Sequence, residues 1–313
     1  MIGYSLNALY EVIGITKQGV WDHFRREEAE LEMIRKVVGQ VDARREKNPG
    51  EGLEKMYWQI EPEGLGRDKF CRILMQLGYG VRRVRNPIRT TIPAHKVFKN
   101  LIEGRTVHGP NQVWQSDITY VKVGARHYYL TFIIDVYTRR IVGYAASDSL
   151  RADANIKALK MALACYKGTS LEGLVHHSDR GSQYVDGRYL GILRSNGIIV
   201  SMGKKAQDNA YAERINGVIK NEYLAYRSLK SFRDLKRHTK QAVRDYNRVR
   251  HHGAIGRRSP VEYEAAWSEQ PHEERPRQVI RSEQTPKNLE ASLQPNDIDT
   301  ACQYPYCSFN LNE

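Results

Sequence analysis

Residues 113–123 read VWQSDITYVKV, and this stretch sets the fold class of the chain. Its β-branched and aromatic side chains are typical of a strand, and similar runs follow at residues 128–136 and 140–146. Only Gly124-Ala125-Arg126 and Tyr137-Thr138-Arg139 separate the three runs. Connections this short predict an antiparallel meander of three strands.

Helical and strand patterns alternate after the meander. We predict strands at 174–177 and 198–202, and helices at 151–166, 189–194, 209–226 and 232–246, the last capped by Ser231. This order predicts a ribonuclease-H-like α/β fold, with a mixed five-stranded sheet flanked by helices. The alternative, a nucleotide-binding α/β enzyme, is not supported, because no glycine-rich phosphate loop follows the first strand.

Upstream of the meander, residues 1–110 have a helical pattern in short pieces. Glycine turns separate the predicted helices, which span residues 6–13, 17–25 (capped by Thr16), 27–43, 53–60 and 69–77. Arg82, Arg83, Arg85 and Arg89 follow the last of them. Short helices beside a basic segment fit a helix-turn-helix DNA-binding region, and a dimerising helical hairpin remains the alternative.

The charge of the chain indicates a polyanionic partner. Lys and Arg number 49 against 36 Asp and Glu, a net charge of +13, and residues 204–258 alone hold fifteen basic against five acidic residues. No apolar run approaches the roughly 20 residues of a membrane span, and no signal peptide is evident. Four cysteines do not make a disulfide framework. We expect a cytoplasmic, nucleoid-associated DNA-binding protein with no membrane contact.

Three acids occupy places where the predicted sheet brings distant residues together. Asp117 lies within the first strand, Asp179 follows the fourth, and Glu213 lies in the helix after the fifth. Singly, each has an ordinary explanation: a strand carboxylate, a helix N-cap, an exposed helix residue. Together they predict a cation site, since converging carboxylates need a positive charge to ionise. Their hard oxygens suit Mg²⁺, with Mn²⁺ as a substitute, and two such ions promote phosphodiester displacement.

The motifs around these acids resemble a known family. WQSDITYV, HHSDRGSQY and DNAYAERINGVIKNEY look like the three acidic blocks of the retroviral-integrase-type DDE core, and more narrowly of the transposases (second reading frame) of the bacterial IS-three insertion-sequence family. Tyr246-Asn247-Arg248-Val249-Arg250-His251-His252 resembles the family's YNxxRxH element. The similarity covers roughly residues 55–263.

Two departures from the family pattern concern Glu213 and the YNxxRxH element. The spacing from Asp179 to Glu213 is slightly shorter than the family norm, which leaves Glu222 as a rival for the third acid. We expect Glu213, because its helix places Asn216 and Lys220 on the same face, beside a buried stripe of Ala212, Ile215, Ile219 and Tyr223. In the YNxxRxH element, His251 stands where the family has proline.

The resemblance implies a transposase that cleaves phosphodiesters at insertion-sequence ends and joins the 3′-hydroxyl to DNA. Its partners are expected to be terminal inverted repeats, target DNA, further copies of the chain and an upstream-frame protein. The expected DNA-contacting side chains are basic or polar: Arg67, Lys69, Arg72, Arg82, Arg83, Arg85, Arg180, Asn216, Lys220, Arg250 and His252. A metal-dependent nuclease of the same fold and a non-catalytic DNA-binding repressor are the alternatives.

The predicted organisation has four parts: a DNA-binding region at 1–95, a linker at 96–110, the catalytic core with its basic helices at 111–270, and a poorly ordered tail at 271–313. Within the core, Asp135 is expected to cap a turn rather than to act in catalysis. His176 and His177 are expected to pack at a strand end or to contact phosphate. Trp114 and Tyr120 are expected in the hydrophobic core.

Overall fold

The computed structural model describes residues 6–81 and 97–280, and its N-terminal part is helical. The four helices are α1 (Leu6–Ile13), α2 (Lys17–Lys47), α3 (Leu53–Ile60) and α4 (Arg67–Gln76). Thr16 caps α2 as predicted, accepting a hydrogen bond of 3.0 Å from the Gly19 amide. The predicted division of α2 near residue 26 is wrong, because the run of charged helix formers there contains no residue that ends a helix.

Helices α2, α3 and α4 pack around a small apolar core. Val41, Met56 and Phe70 contribute one side chain from each helix, and all three are fully buried. Gly64, with φ of +72°, allows the turn between α3 and α4, a conformation that favours glycine. The arrangement is consistent with a helix-turn-helix, in which α4 exposes its charged side chains to solvent.

The central sheet has the predicted topology. Its strands are β2 (Val113–Val123), β3 (Arg126–Asp135), β4 (Ile141–Ser147), β5 (Val175–Ser178) and β6 (Ile199–Met202). Their spatial order is β4-β3-β2-β5-β6, with antiparallel pairing from β4 to β2 and parallel pairing from β2 to β6. A meander extended by two parallel strands is the ribonuclease-H-like arrangement, so the predicted fold class is confirmed.

Helices cover both faces of this sheet. On one face α5 (Asp153–Cys165) and α6 (Gly187–Ser195) pack on a core that includes Trp114 and Ile133. On the other, α7 (Ala210–Val218) and α8 (Phe232–Arg248) pack on a core that includes Phe132. The predictions that Trp114 and Tyr120 are buried are also confirmed.

The long helix predicted for residues 209–226 is interrupted in the structure. A 3₁₀ turn at Ala206–Asn209 leads into α7, which continues as a π-helical turn at Ile219–Tyr223 and a 3₁₀ turn at Leu224–Tyr226. The predicted buried stripe of Ala212, Ile215, Ile219 and Tyr223 is confirmed. Because a π-turn shifts the helical phase, side chains beyond residue 218 no longer follow α-helical spacing from Glu213.

Two short strands and one helix complete the fold. Strand β1 (Thr106–Val107) pairs with β7 (Gln278–Val279), and α9 (Pro260–Glu269) lies between them in the chain. Val107 and Ile280 are buried together. The segment predicted as a linker therefore packs against the core, and regular structure extends beyond residue 271, contrary to expectation, because apolar side chains of both segments share a buried cluster. Within residues 6–81 and 97–280, no helix is both long and apolar enough to cross a bilayer.

Candidate active site

Asp117 and Asp179 lie side by side at the centre of the sheet. Strands β2 and β5 are parallel, and Ser116 pairs with Ser178, so the two aspartates occupy the next step along neighbouring strands. Neighbouring strands are about 4.8 Å apart. The carboxylate of Asp179 is oriented by the Gly181 amide, which donates a hydrogen bond of 3.0 Å to Oδ1. The sheet therefore brings together two acids that are 62 residues apart in sequence.

Helix α7 adds the third acid and a hydrogen bond to the first. Glu213 lies in the first turn of α7, and Asn216 follows it three residues later. The side-chain amide of Asn216 donates to Oδ2 of Asp117 over 2.7 Å. Asn216 is 6% exposed, so its side-chain amide is engaged by Asp117 and is not presented to DNA.

The three carboxylates form one electrostatic cluster. Burial above all, and then the charges of Asp179 and Glu213, raise the pKa of Asp117 to about 7, although hydrogen bonds from the Ile118 amide and Asn216 act to lower it. Burial also raises the pKa of Glu213, and again Asp179 adds to the effect. Such mutual repulsion is the pattern that a bound cation relieves.

The chemistry of these donors fits a hard divalent cation. In the part of the chain that the structure describes, no three histidine, cysteine, aspartate or glutamate side chains are arranged to hold a metal ion. The candidate donors are nevertheless all carboxylate oxygens, the ligands that Mg²⁺ and Mn²⁺ prefer. Asp117, Asp179 and Glu213 supply this donor chemistry, although they do not form a ready-made three-ligand group in the described residues.

The beginning of α7 is attached to strand β2 beside Asp117. Gln115 accepts from the Tyr211 and Ala212 amides over 3.1 and 3.3 Å and donates to the Asp208 carbonyl over 3.1 Å. Asn209 donates to the Ser116 carbonyl over 2.9 Å. Neither Gln115 nor Asn209 is among the residues predicted from sequence to act at the site. The sequence could have indicated Gln115, because side chains alternate between the two faces of a strand and Gln115 shares a face of β2 with Asp117.

Arg180 and Lys220, two of the predicted DNA contacts, have protein partners in the structure. Arg180 directly follows Asp179, and its Nε donates to the Gly203 carbonyl over 3.2 Å. The Nζ atom of Lys220 lies 4.6 Å from the centre of the Tyr120 ring, and burial lowers the pKa of this lysine. Lys220 does not pair with Glu222, the alternative partner suggested by sequence.

Arg250 and His252 are not placed as DNA contacts, contrary to the sequence prediction. Arg250 is 4% exposed and donates from Nε and Nη2 to the two carboxylate oxygens of Glu222, over 2.8 and 2.9 Å. His252 packs edge-on against Tyr246, and burial together with the charge of Arg250 lowers its pKa to about 2. The partly buried carboxylate of Glu222 pairs with Arg250, so the positive charge that the sequence assigned to DNA is neutralised within the protein.

Glu222, the rival for the third acid, makes structural contacts. Besides Arg250 it binds Lys55 of α3, with 3.0 Å between Nζ and Oε1. Although burial opposes it, these two cations hold the pKa of Glu222 below its ordinary value. The Gly50 amide also donates to the Glu222 carbonyl over 2.7 Å. This glutamate thus joins the helical region to the core.

The remaining predicted DNA contacts belong to the helical region. Arg67, Lys69 and Arg72 are exposed on α4. Arg67 pairs with Asp68 over 2.9 Å, and Lys69 pairs with Glu30 over 2.7 Å. Arg82, Arg83, Arg85 and Arg89 lie outside the described residues.

Three further candidates have structural roles in the core. Asp135 caps a turn as predicted: Oδ1 accepts from the Thr138 amide over 2.8 Å and Oδ2 from the Asn111 amide over 2.6 Å. His176 and His177 are buried and bond to Tyr189 and Ser201 over 2.9 and 2.8 Å. This confirms strand-end packing, and burial leaves neither imidazole facing solvent where a phosphate could approach.

Comparisons with known proteins identify the family of the chain. Two integrase core domain families match the chain, over residues 107–207 and 197–260. A putative transposase for insertion sequence element IS986/IS6110 from Mycobacterium tuberculosis is 31% identical over 263 residues, covering 79% of this chain and 94% of that protein. The transposase for insertion sequence element IS629 from Shigella sonnei is 34% identical, covering 69% and 74%.

Other similarities are more partial. Transposase InsF for insertion sequence IS3A of Escherichia coli is 33% identical over 173 residues, covering 54% of this chain and 59% of that protein. Among solved structures, the HTLV-2 integrase catalytic core domain in complex with magnesium has a TM-score of 0.41 and 18% identity, covering 53% of this chain and 99% of that one.

Proposed function

This chain belongs to the IS-three family of insertion-sequence transposases with a DDE integrase-type core, and we propose that it cleaves and joins DNA at the ends of such an element. In the first step, water attacks the terminal phosphodiester, the bond from phosphorus to the 3′ oxygen breaks, and a 3′-hydroxyl is freed. In the second, this hydroxyl attacks a target phosphodiester, forms a new bond to phosphorus and displaces the target's own 3′ oxygen.

The observation that carries the proposal is the placement of the three acids. Parallel pairing of β2 and β5 sets Asp117 beside Asp179, and α7 brings Glu213 within electrostatic range of both. These carboxylates would hold Mg²⁺, with Mn²⁺ as a substitute and two ions as the expected number. When bound, the metal supplies charge stabilisation for the attacking and leaving oxygens of the displacement.

The chain's own contribution is to hold the carboxylates in place. Asn216 orients Asp117 and the Gly181 amide orients Asp179, so neither acid has to reorganise when DNA arrives. Arg180, which follows Asp179, and Lys220, which lies over the Tyr120 ring of β2, carry cationic groups suited to DNA phosphates. The amide of Asn216 supports the site through Asp117 rather than through DNA.

DNA binding is proposed to involve both parts of the chain. The exposed cations of α4, with the basic segment that follows, are suited to the terminal inverted repeats, and the core to the scissile and target strands. Two element ends have to be processed together, which favours a homo-oligomer on DNA. An upstream-frame protein and a nucleoid location remain part of this proposal, as does the division of the chain into a helical DNA-binding region and a catalytic core.

The test is a strand-transfer assay with the full-length chain. Duplexes ending in the element's inverted repeat are incubated with Mg²⁺ and target DNA, beside duplexes with a scrambled end. The proposal predicts cleaved ends followed by joined products, from the repeat-containing duplex alone. Cleavage without joining would identify the nuclease alternative, and binding without either would identify a repressor.

A further inference from the structure

Helix α7 begins without a side-chain cap of its own. The first amides of a helix have no partner within it and need an acceptor elsewhere. Asn209 occupies the N-cap position but makes no capping hydrogen bond: its Nδ2 donates to the Ser116 carbonyl, and its Oδ1 has no hydrogen-bond partner among the described residues. The acceptor for the first turn therefore comes from another element.

That acceptor is the side chain of Gln115. Its Oε1 accepts from both the Tyr211 and Ala212 amides, and its Nε2 donates to the Asp208 carbonyl just before the helix. The residue is fully buried, so water does not compete for these bonds. One amide group on strand β2 thus satisfies three backbone groups at the start of α7.

Glu213 lies between two attachments of α7 to the same strand. Gln115 holds residues 211 and 212, and Asp117 accepts from Asn216. Gln115 and Asp117 are two residues apart and so point to the same face of β2. The two contacts together fix both the rotation and the axial position of the turn that carries Glu213.

We propose that Gln115 is a positioning residue for the reaction, which caps α7 from strand β2 and thereby sets Glu213 relative to Asp117. This inference rests on the proposed function for its catalytic consequence, whereas the cap itself is independent of it. A displacement of about 1 Å at a catalytic group costs on the order of 10²-fold in rate.

The test uses full-length Gln115→Met, which keeps the length of the side chain and removes its hydrogen-bonding groups. Asn155→Leu is the matched control, because it removes a buried hydrogen bond of 2.9 Å with Thr131 on the face of β3 that packs against α5. We expect amide hydrogen exchange of residues 210–218 to accelerate at least tenfold in Gln115→Met and to stay near wild type in Asn155→Leu. Equal exchange in the two variants would overturn the cap.

Catalysis supplies a second measurement that loss of stability alone would not reproduce. In Gln115→Met, kcat for joining should fall about 10- to 100-fold while KM for element-end DNA changes less than twofold. A kcat equal to that of Asn155→Leu would overturn the positioning role. If the wild-type chain joins no DNA, the proposed function fails, and the exchange measurement still decides the cap.

Gln115→Glu keeps the proposal testable should Gln115→Met fail to fold. The glutamate retains an acceptor oxygen for the helix amides and loses the donor to Asp208. Protection of the Tyr211 and Ala212 amides should therefore persist, and its loss would contradict the assignment.

Discussion

The side-chain amide of Asn216 lies 2.7 Å from the carboxylate of Asp117 and donates to it across the gap between α7 and β2. This hydrogen bond stabilises the charged form of an acid whose pKa burial raises to about 7. It also means that one turn of α7 contains both Glu213 and the group that orients Asp117. The helix and the strand therefore form the site as a pair.

Replacement of any one of the three acids should abolish the chemistry. Asp117→Asn, Asp179→Asn and Glu213→Gln each remove a carboxylate charge with little change in shape, so cleavage and joining with Mg²⁺ should fall on the order of 10³-fold or more. Asp153→Asn, at an exposed acid of α5, is the control and should keep the wild-type rate. A near-normal rate in one of the three would remove that residue from the site.

Breaking the pair between Arg250 and Glu222 should destabilise the fold without weakening DNA binding. Glu222→Gln leaves the buried guanidinium of Arg250 without its anion, so it should lower the free energy of unfolding by about 3 kcal/mol. Arg250→Met should cost less, because Glu222 keeps its ion pair with Lys55. The double variant should recover part of this loss. Urea denaturation measures the first effect, and titration with element-end DNA the second. A stable Arg250→Met protein with weakened DNA affinity would restore the role that sequence suggested.

Reversing the charge of Lys220 should weaken binding of element-end DNA about tenfold or more, because a carboxylate at this position would repel the phosphates that the lysine is proposed to contact. Lys236→Glu is a matched control, since its Nζ also lies over an aromatic ring, 4.2 Å from the centre of Phe232, but on α8. Fluorescence anisotropy gives both affinities, and thermal melting should show little change. Equal affinities for the two variants would limit α7 to catalysis.

The helical region should bind DNA chiefly through electrostatic contacts. Each phosphate neutralised adds about −0.9 to the slope of log affinity against log salt concentration. Changing Arg67, Lys69 and Arg72 together to glutamine should therefore make the slope shallower by up to about 2.7 units. Arg188→Gln on α6 serves for comparison. An unchanged slope in the triple variant would return this region to the helical-hairpin alternative.

Acid should destabilise the fold through buried histidine. Burial, and then the charge of His177, lowers the pKa of His176 to about 3, against about 6.5 in an unfolded chain. The unfolded state thus binds the extra proton first, and stability is lost as the pH falls below about 6.5. At pH 5.5 the loss is about 1.4 kcal/mol from this residue.

Urea midpoints at pH 7.5 and 5.5 test this effect. His176→Gln should show a shallower pH dependence than wild type, by about the same 1.4 kcal/mol. His23→Gln on the exposed surface of α2 controls for loss of a histidine as such. Identical pH dependence in wild type and His176→Gln would contradict a neutral, buried imidazole.

Much of the core was predictable because its signals are local. The bounds of β2 matched the prediction, Val113–Val123, since an unbroken run of β-branched and aromatic residues has one favourable conformation. Ser231 and Thr16 were recognisable caps for the same reason. The continuous α2 was missed because charged residues around Arg25 and Glu27 resemble a boundary in composition but contain nothing that stops a helix.

Sequence alone determined the fold class, the family and the candidate acids, because strand composition and motif spacing are local properties of the chain. Tertiary structure decided which charged side chains are paired inside the protein and which are available to DNA or metal. Arg250 and Glu222 are 28 residues apart, and only folding joins them and removes them from the set of candidate DNA and metal contacts. The role of Gln115 likewise depends on strand and helix meeting. The residue type determines which hydrogen bonds and ion pairs a side chain can make, whereas the packing of the folded chain determines which partner it contacts.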